Sequence, residues 1–411
     1  MLVTNPNEIA AIADAIASAR SVAFDLEFAA ADRLTPRLCL VQVAWLPPSV
    51  SLAAPVDDVL AAAPEIRLVD PIAGDVTPII TALAAHSCVI AHAPRQDLAI
   101  LHARFGIVMP GLIDTQLMAA FVGLGEQIGL AALANELLGT RLGKQQQWTA
   151  WERRPLTDAQ LAYAASDVRH LHALYASLAA RLGPRIDWAR IETAAIVADA
   201  VAAASVTPDT AWQQLGIRGA GPAEHGVLVA IAAWRHRVAV EFDRPLGHVL
   251  ADKSIVELAR LRPVDAAAIR RIKGMPELAR QRAEELAALI SSAPPSSASV
   301  TSVRGLSQPA QRWAEGLLAI AHVISEQTQI AARLLATRAD AEVFARRFDE
   351  GGIAATTELP AQTTWRRELL GTAWEGWLRG ELAMVATANG IELRAQFGPR
   401  DSFSPSGRSA Q

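Results

Sequence analysis

Val22-Ala23-Phe24-Asp25-Leu26-Glu27-Phe28 sets two carboxylates into an otherwise apolar run. Such a run reads as a strand. Its period of two puts Asp25 and Glu27 on one face and Phe24, Leu26 and Phe28 on the other. Like charges side by side on a half-buried face are costly unless a cation lies between them. Alone, the pair fits either a metal site or a solvated strand end. Leu38–Trp45 continues as a second apolar strand and Ile66–Val69 as a third. Thr77–Ala85 has helical spacing, and Cys88-Val89-Ile90-Ala91 is a short buried strand. A helix from about Arg95 to Phe105 follows, closed by Gly106 and Pro110, then a strand at Leu112-Ile113 and helices through Leu182. Strands first, then βα units, then helices indicate an α/β domain with a mixed sheet.

Beyond about Asp187 helical periodicity dominates and no strand is expected. It breaks at Gly219-Ala220-Gly221-Pro222 and again over Ser291–Ser299, whose Ser, Ala and Pro content is that of a linker.

The 411 residues suggest two to four domains at roughly 100–200 residues each. With 51% hydrophobic and 19% charged residues, the chain is not disordered throughout. No apolar run approaches the roughly 20 residues of a membrane helix, and the start lacks the basic-then-apolar pattern of a secretory signal. Cys39 and Cys88 lie in apolar runs and read as buried thiols, not as a disulfide or zinc site, so a cytoplasmic location is expected. The net charge of -4 resides in residues 1–190, with 14 Lys+Arg against 18 Asp+Glu. Trp212–Ile290 is mildly basic, with 12 against 9. An acidic part that needs divalent cations fits this distribution, as does ordinary scatter.

Three further residues join the acidic pair. Asp97 stands early in its helix, where a first-turn acid is also favoured by the helix dipole. Tyr163 and Asp167, at i and i+4, project from one helix face, which equally suits a half-buried Tyr beside a solvent-facing Asp. Together the set makes chemical sense. Two-metal phosphodiester hydrolysis needs hard oxygen ligands around ions roughly 3.5–4 Å apart and a group that orients the attacking water.

The series Asp25-x-Glu27, Asp97, Tyr163-x3-Asp167 resembles the DEDDy 3′–5′ exonucleases, and within them ribonuclease D. Pro36-Arg37-Leu38-Cys39-Leu40-Val41-Gln42, Leu68-Val69-Asp70-Pro71, His92-Ala93, Asp114-Thr115-Gln116-Leu117 and Arg154-Pro155-Leu156-Thr157 extend the likeness over about residues 1–185. In the related DEDDh group a His stands one position further from the Asp; position 162 here is Ala, so the chain is of the tyrosine type. The resemblance implies that Asp25 bridges two divalent ions, Mg²⁺ or Mn²⁺. It implies that Glu27 and Asp167 complete the nucleophile-side ion, that Asp97 supports the other, and that Tyr163 hydrogen-bonds the attacking water. Ser and Asp are expected before Trp151, where this chain has Thr149 and Ala150. Lys144 in that segment is a candidate phosphate contact or a solvated loop lysine.

Trp234-Arg235, Asp243-Arg244-Pro245, Leu258-Ala259 and Ile272-Lys273-Gly274 resemble an HRDC domain, with Arg270, Arg271 and Lys273 as candidate phosphate contacts. Leu334-Leu335-Ala336-Thr337 and Trp365-Arg366 resemble a second, more divergent one. Trp234 and Trp365 read as core. The fold expected is an α/β ribonuclease H-like exonuclease domain, a mixed sheet flanked by helices, followed by two all-α HRDC-like domains. Its parts are an exonuclease domain at 1–185, a helical connector at 186–211, HRDC at 212–291, a linker at 292–306, a second HRDC-like domain at 307–398, and a disordered tail at 399–411. The function implied is 3′–5′ exoribonuclease action on tRNA precursors or other structured RNA with a free 3′ end, with no membrane partner. A DNA-directed proofreading-type nuclease is disfavoured because no polymerase-sized region follows. A non-catalytic RNA-binding protein is disfavoured because all five site residues are present.

Overall fold

The computed structural model describes residues 2–30, 32–143, 149–215, 220–296, 305–388 and 390–396. Lys144 and the 399–411 tail lie outside the described residues. Residues 1–119 and 127–304 make one compact unit; residues 120–126 with those described from 305 onward make a second.

In chain order the first unit runs β1 (Leu2–Val3), α1 (Pro6–Ser18), β2 (Val22–Ala29), β3 (Arg37–Trp45), α2 (Val56–Ala61), β4 (Glu65–Val69), α3 (Thr77–Ala85), β5 (Val89–Ala91), α4 (Arg95–Phe105), β6 (Leu112–Asp114) and α5 (Thr115–Ala120). It continues with α6 (Leu130–Leu138), α7 (Asp158–Arg169), α8 (Leu171–Leu182) and α9 (Ile186–Ala204). The sheet order is β1-β4-β3-β2-β5-β6, with β3 antiparallel to both β2 and β4 and the other pairs parallel. The mixed sheet expected from sequence is therefore present. β1 is additional; two residues are too short to show a period.

Alternation along the central strands sorts the two faces. Phe24, Leu26, Val41, Val43 and Val69 meet Ile9, Ile12 and Ile16 of α1, Ile79 and Leu83 of α3, and Leu98 and Leu101 of α4 in the main core. The opposite face carries Leu40 and Leu68, covered by Ala164 of α7 and by Trp151 and Leu156. Gly106 closes α4 in the left-handed conformation, φ +68°, where a side chain would be strained.

Six helices follow: α10 (Pro222–Phe242), α11 (Leu246–Val249), α12 (Asp252–Leu261), α13 (Ala266–Arg271), α14 (Glu277–Gln281) and α15 (Ala283–Ser292). Trp234 sits in their core. Buried Arg235 donates to the Leu250 carbonyl at 3.0 Å and pairs with Asp252, fixing the α11–α12 corner against α10. This module meets the β2–β3 connection. The Asp243 carboxylate accepts from the Leu34 N–H and from Arg33, each at 3.2 Å, and Leu34 packs on the helical core.

The second unit holds α16 (Gln308–Thr328), α17 (Ala332–Leu335), α18 (Arg338–Gly351) and α19 (Thr372–Leu378). Trp365 is buried against Phe121, and the Trp374 indole donates to the Leu317 carbonyl at 2.9 Å. The unit is not all-α. An antiparallel hairpin, β7 (Leu382–Thr387) and β8 (Gly390–Ala395), follows α19. Neither strand buries a face, so the alternation that marks a strand is weak there. Among the described residues no helix is long and apolar enough to cross a membrane.

Candidate metal centre

Asp25 and Glu27 leave β2 on the face covered by α7, as their spacing requires. The β2–β3 register pairs Glu27 with Leu40 but Phe28 with Leu38, stepping over Cys39. This bulge directly follows Glu27, and bulges of that kind re-aim side chains at strand ends. α7 supplies Tyr163 and Asp167. Thr157 caps it in a reciprocal capping box with Gln160, and the Gln160 amide donates to the Thr149 hydroxyl at 3.1 Å. Thr149 thus keeps a working hydroxyl at the first of the two atypical positions.

The segment before α7 is pinned to the sheet by Arg154. Its Nε and one terminal nitrogen grip buried Asp70 at 2.6 and 2.7 Å, and it also donates to the Cys39 and Trp151 carbonyls. Burial alone raises the Asp70 carboxyl, but the Arg154, Ile72 and Ala73 donors outweigh it and hold the group below its ordinary value. The sequence alone does not join these two residues, because 84 positions separate them.

Asp25, Glu27 and Asp167 each bring a carboxylate oxygen to within 4.8 Å of the other two. Asp97, on the first turn of α4, is outside that trio but buried, and the charge of Asp25 acts on it. Its turn is set by Asp114, whose carboxylate accepts from the N–H of Ala93 at 2.9 Å and of Gln116 at 2.8 Å; Ala93 has φ +54°. Just upstream, the neutral His92 ring spans Thr115 and the Ile128 carbonyl, its pKa lowered to about 4 by burial.

Every carboxyl of the cluster is pushed up. Burial raises Asp25 to about 7, against the pull of the Leu26 N–H. Burial, then the charges of Asp25, Asp167 and Asp97, raise Glu27 to about 9. Burial and Asp25 raise Asp167 to about 8, although the Tyr163 hydroxyl donates to it. Burial and Asp25 also raise Asp97. Burial and the same acids raise the Tyr163 phenol, which stays protonated. Hard oxygens crowded in this way fit a divalent cation, which removes the repulsion.

A stability prediction follows. In the unfolded chain these carboxyls ionise near pH 4. Folded and metal-free, they hold protons up to about pH 7–9. The folded state therefore binds more protons across that window, so its stability falls as pH rises from about 4 to 9 and levels off above. Melted in EDTA, the protein should be less stable at pH 8.5 than at pH 6, and Mn²⁺ should recover the loss. A rise in melting temperature over that interval in EDTA would contradict the clustering.

The HRDC-like candidates differ in availability. All three are exposed; Arg270 is engaged with Glu284 and the Arg280 carbonyl, and Arg271 Nε donates to the Ala267 carbonyl at 3.1 Å.

Residues 1–183 match the 3′–5′ exonuclease family and residues 224–290 the HRDC domain family. Ribonuclease D of Acidiphilium cryptum is 31% identical, covering 96% of both chains. Ribonuclease D of Granulibacter bethesdensis is 30% identical, over 95% of this chain and 96% of that one. The crystal structure of Escherichia coli RNase D, described as an exoribonuclease involved in structured RNA processing, shares the fold with a TM-score of 0.75. It is 23% identical and covers 92% of this chain and 98% of its own. With this site, these domains and full-length relatives, the chain belongs to the ribonuclease D family, the 3′–5′ exoribonucleases.

Proposed function

We propose that this chain trims the 3′ ends of structured RNA, tRNA precursors among them, using two divalent ions, Mg²⁺ or Mn²⁺, at Asp25, Glu27, Asp97 and Asp167. The observation that carries this is the convergence of three half-buried carboxylates within 4.8 Å, with Asp97 buried beside them. When bound, such ions lower the pKa of an attacking water and offset charge on the scissile phosphate. Asp25, whose charge reaches Glu27, Asp97 and Asp167, serves both ions. Glu27 and Asp167 serve the nucleophile side and Asp97 the leaving-group side. Tyr163, held by Asp167, orients the water. A cytoplasmic location belongs to this reading, and both cysteines are free thiols.

Tyr163→Phe is expected to lower kcat about 10²-fold with little change in KM, because orienting water matters on the way to the transition state. A change confined to KM would make Tyr163 a binding residue instead.

In the same reading, residues 1–185 cut, 186–211 connect, 212–291 hold the RNA body, 292–306 link, and 307–398 form a second HRDC-like domain. Arg270, Arg271 and Lys273 of the 212–291 domain are the proposed phosphate contacts. Each contact removed by alanine should lower the salt dependence of binding by about one released counterion.

The substrate is tested with RNA and DNA hairpins of matched sequence, each with a single-stranded 3′ tail. The RNA tail should be trimmed and the DNA tail left. Equal trimming of both would make the enzyme a general or DNA-directed exonuclease.

A further inference from the structure

Directly opposite Asp25 in the β2–β3 ladder is Gln42. Directly opposite Gln42 on its other side, in β4, is Leu68. Residues paired across a sheet share a face, so the Gln42 side chain lies between Asp25 and Leu68 on the face that α7 covers. Gln42 is 0% exposed, and neither its amide nitrogen nor its amide oxygen has a hydrogen-bond partner.

A buried amide with both ends unpaired opposes folding, and most such groups in folded proteins find a partner. The surroundings offer few. Along β3 the same face carries Leu40 and Ala44, across β4 it carries Leu68, and from α7 it meets Ala164. Cross-strand, it carries Ala23, Asp25 and Glu27. The nearest group in register able to accept from the amide is the Asp25 carboxylate.

We propose that Gln42 is a positioning residue of the metal centre: its amide N–H donates to the Asp25 carboxylate when a divalent ion is bound, fixing the oxygens that face the ion. The amide oxygen is then left for a water that enters with the ion. Removing a partner that orients a metal-ligating group typically costs about 10–100-fold in metal affinity or activity. The proposal rests on the metal centre argued above.

Gln42→Met and Gln42→Leu in the full-length chain test it, because both fill the volume without a polar atom. Melting is followed in EDTA and across a Mn²⁺ titration, and kcat and KM for RNA are measured at saturating Mn²⁺. In EDTA the variants should melt at or above the wild type, because two unpaired polar atoms are gone. Mn²⁺ affinity should fall roughly tenfold, and kcat should fall with KM unchanged. Variants that melt lower in EDTA would show that the amide is already bonded without metal, and the proposal fails. Variants that keep wild-type Mn²⁺ affinity also overturn it and leave Gln42 as core filling. A wild-type protein indifferent to Mn²⁺ would sink the metal centre, and this proposal with it.

Discussion

Asp25→Asn is expected to reduce turnover by at least about 10³-fold, equivalent to about 4 kcal/mol of lost transition-state stabilisation. The amide keeps the shape of the side chain and removes the charge that faces Glu27, Asp97 and Asp167. The fold should not suffer. In the metal-free protein this substitution relieves repulsion, so the variant should melt above the wild type at pH 8. Each kcal/mol recovered corresponds to about 2–4 °C for a domain of this size. Loss of activity with a raised melting temperature separates a ligand from a structural carboxylate. Turnover like that of the wild type would mean that the centre lies elsewhere.

Arg154→Ala should have the largest effect on stability. Asp70 is 2% exposed, and Arg154 supplies its only paired charge among the described residues. Removing the guanidinium strands a buried carboxylate and frees the Cys39 and Trp151 carbonyls. Breaking a buried pair from one side costs about 3–5 kcal/mol, or roughly 6–20 °C in melting temperature. Activity should fall as well, because the segment that leads into α7 is no longer tied to β3 and β4. Adding Asp70→Asn should restore part of the loss, since it removes the stranded charge. If the single variant melts within about 2 °C of the wild type, the pair contributes no more than a surface salt bridge.

The candidate site was legible where one element carries the information. Asp25-x-Glu27 declares its face through the strand period, and Tyr163-x3-Asp167 through the helix period. Asp97 was legible as an acid at a helix start, although its burial was not. Trp234 and Trp365 are core, as their apolar settings indicated. What escaped the sequence depends on residues far apart meeting. The Arg154–Asp70 clamp, the Asp114 brace under Ala93 and the placement of Gln42 against Asp25 need the sheet order before they can be seen. The 382–395 hairpin escaped for a different reason: its strands bury neither face, so no apolar alternation announces them. Ser307 and Thr337, by contrast, are N-caps that local sequence does encode.

The most direct test follows a 5′-labelled RNA bearing a free 3′ hydroxyl, incubated with the full-length protein and Mg²⁺ and resolved to single nucleotides. The expected result is a ladder that shortens by one nucleotide at a time from the 3′ end, absent in excess EDTA and absent with Asp25→Asn. Internal cuts, or degradation that persists in EDTA, would contradict a metal-dependent 3′–5′ exonuclease built on Asp25, Glu27, Asp97 and Asp167.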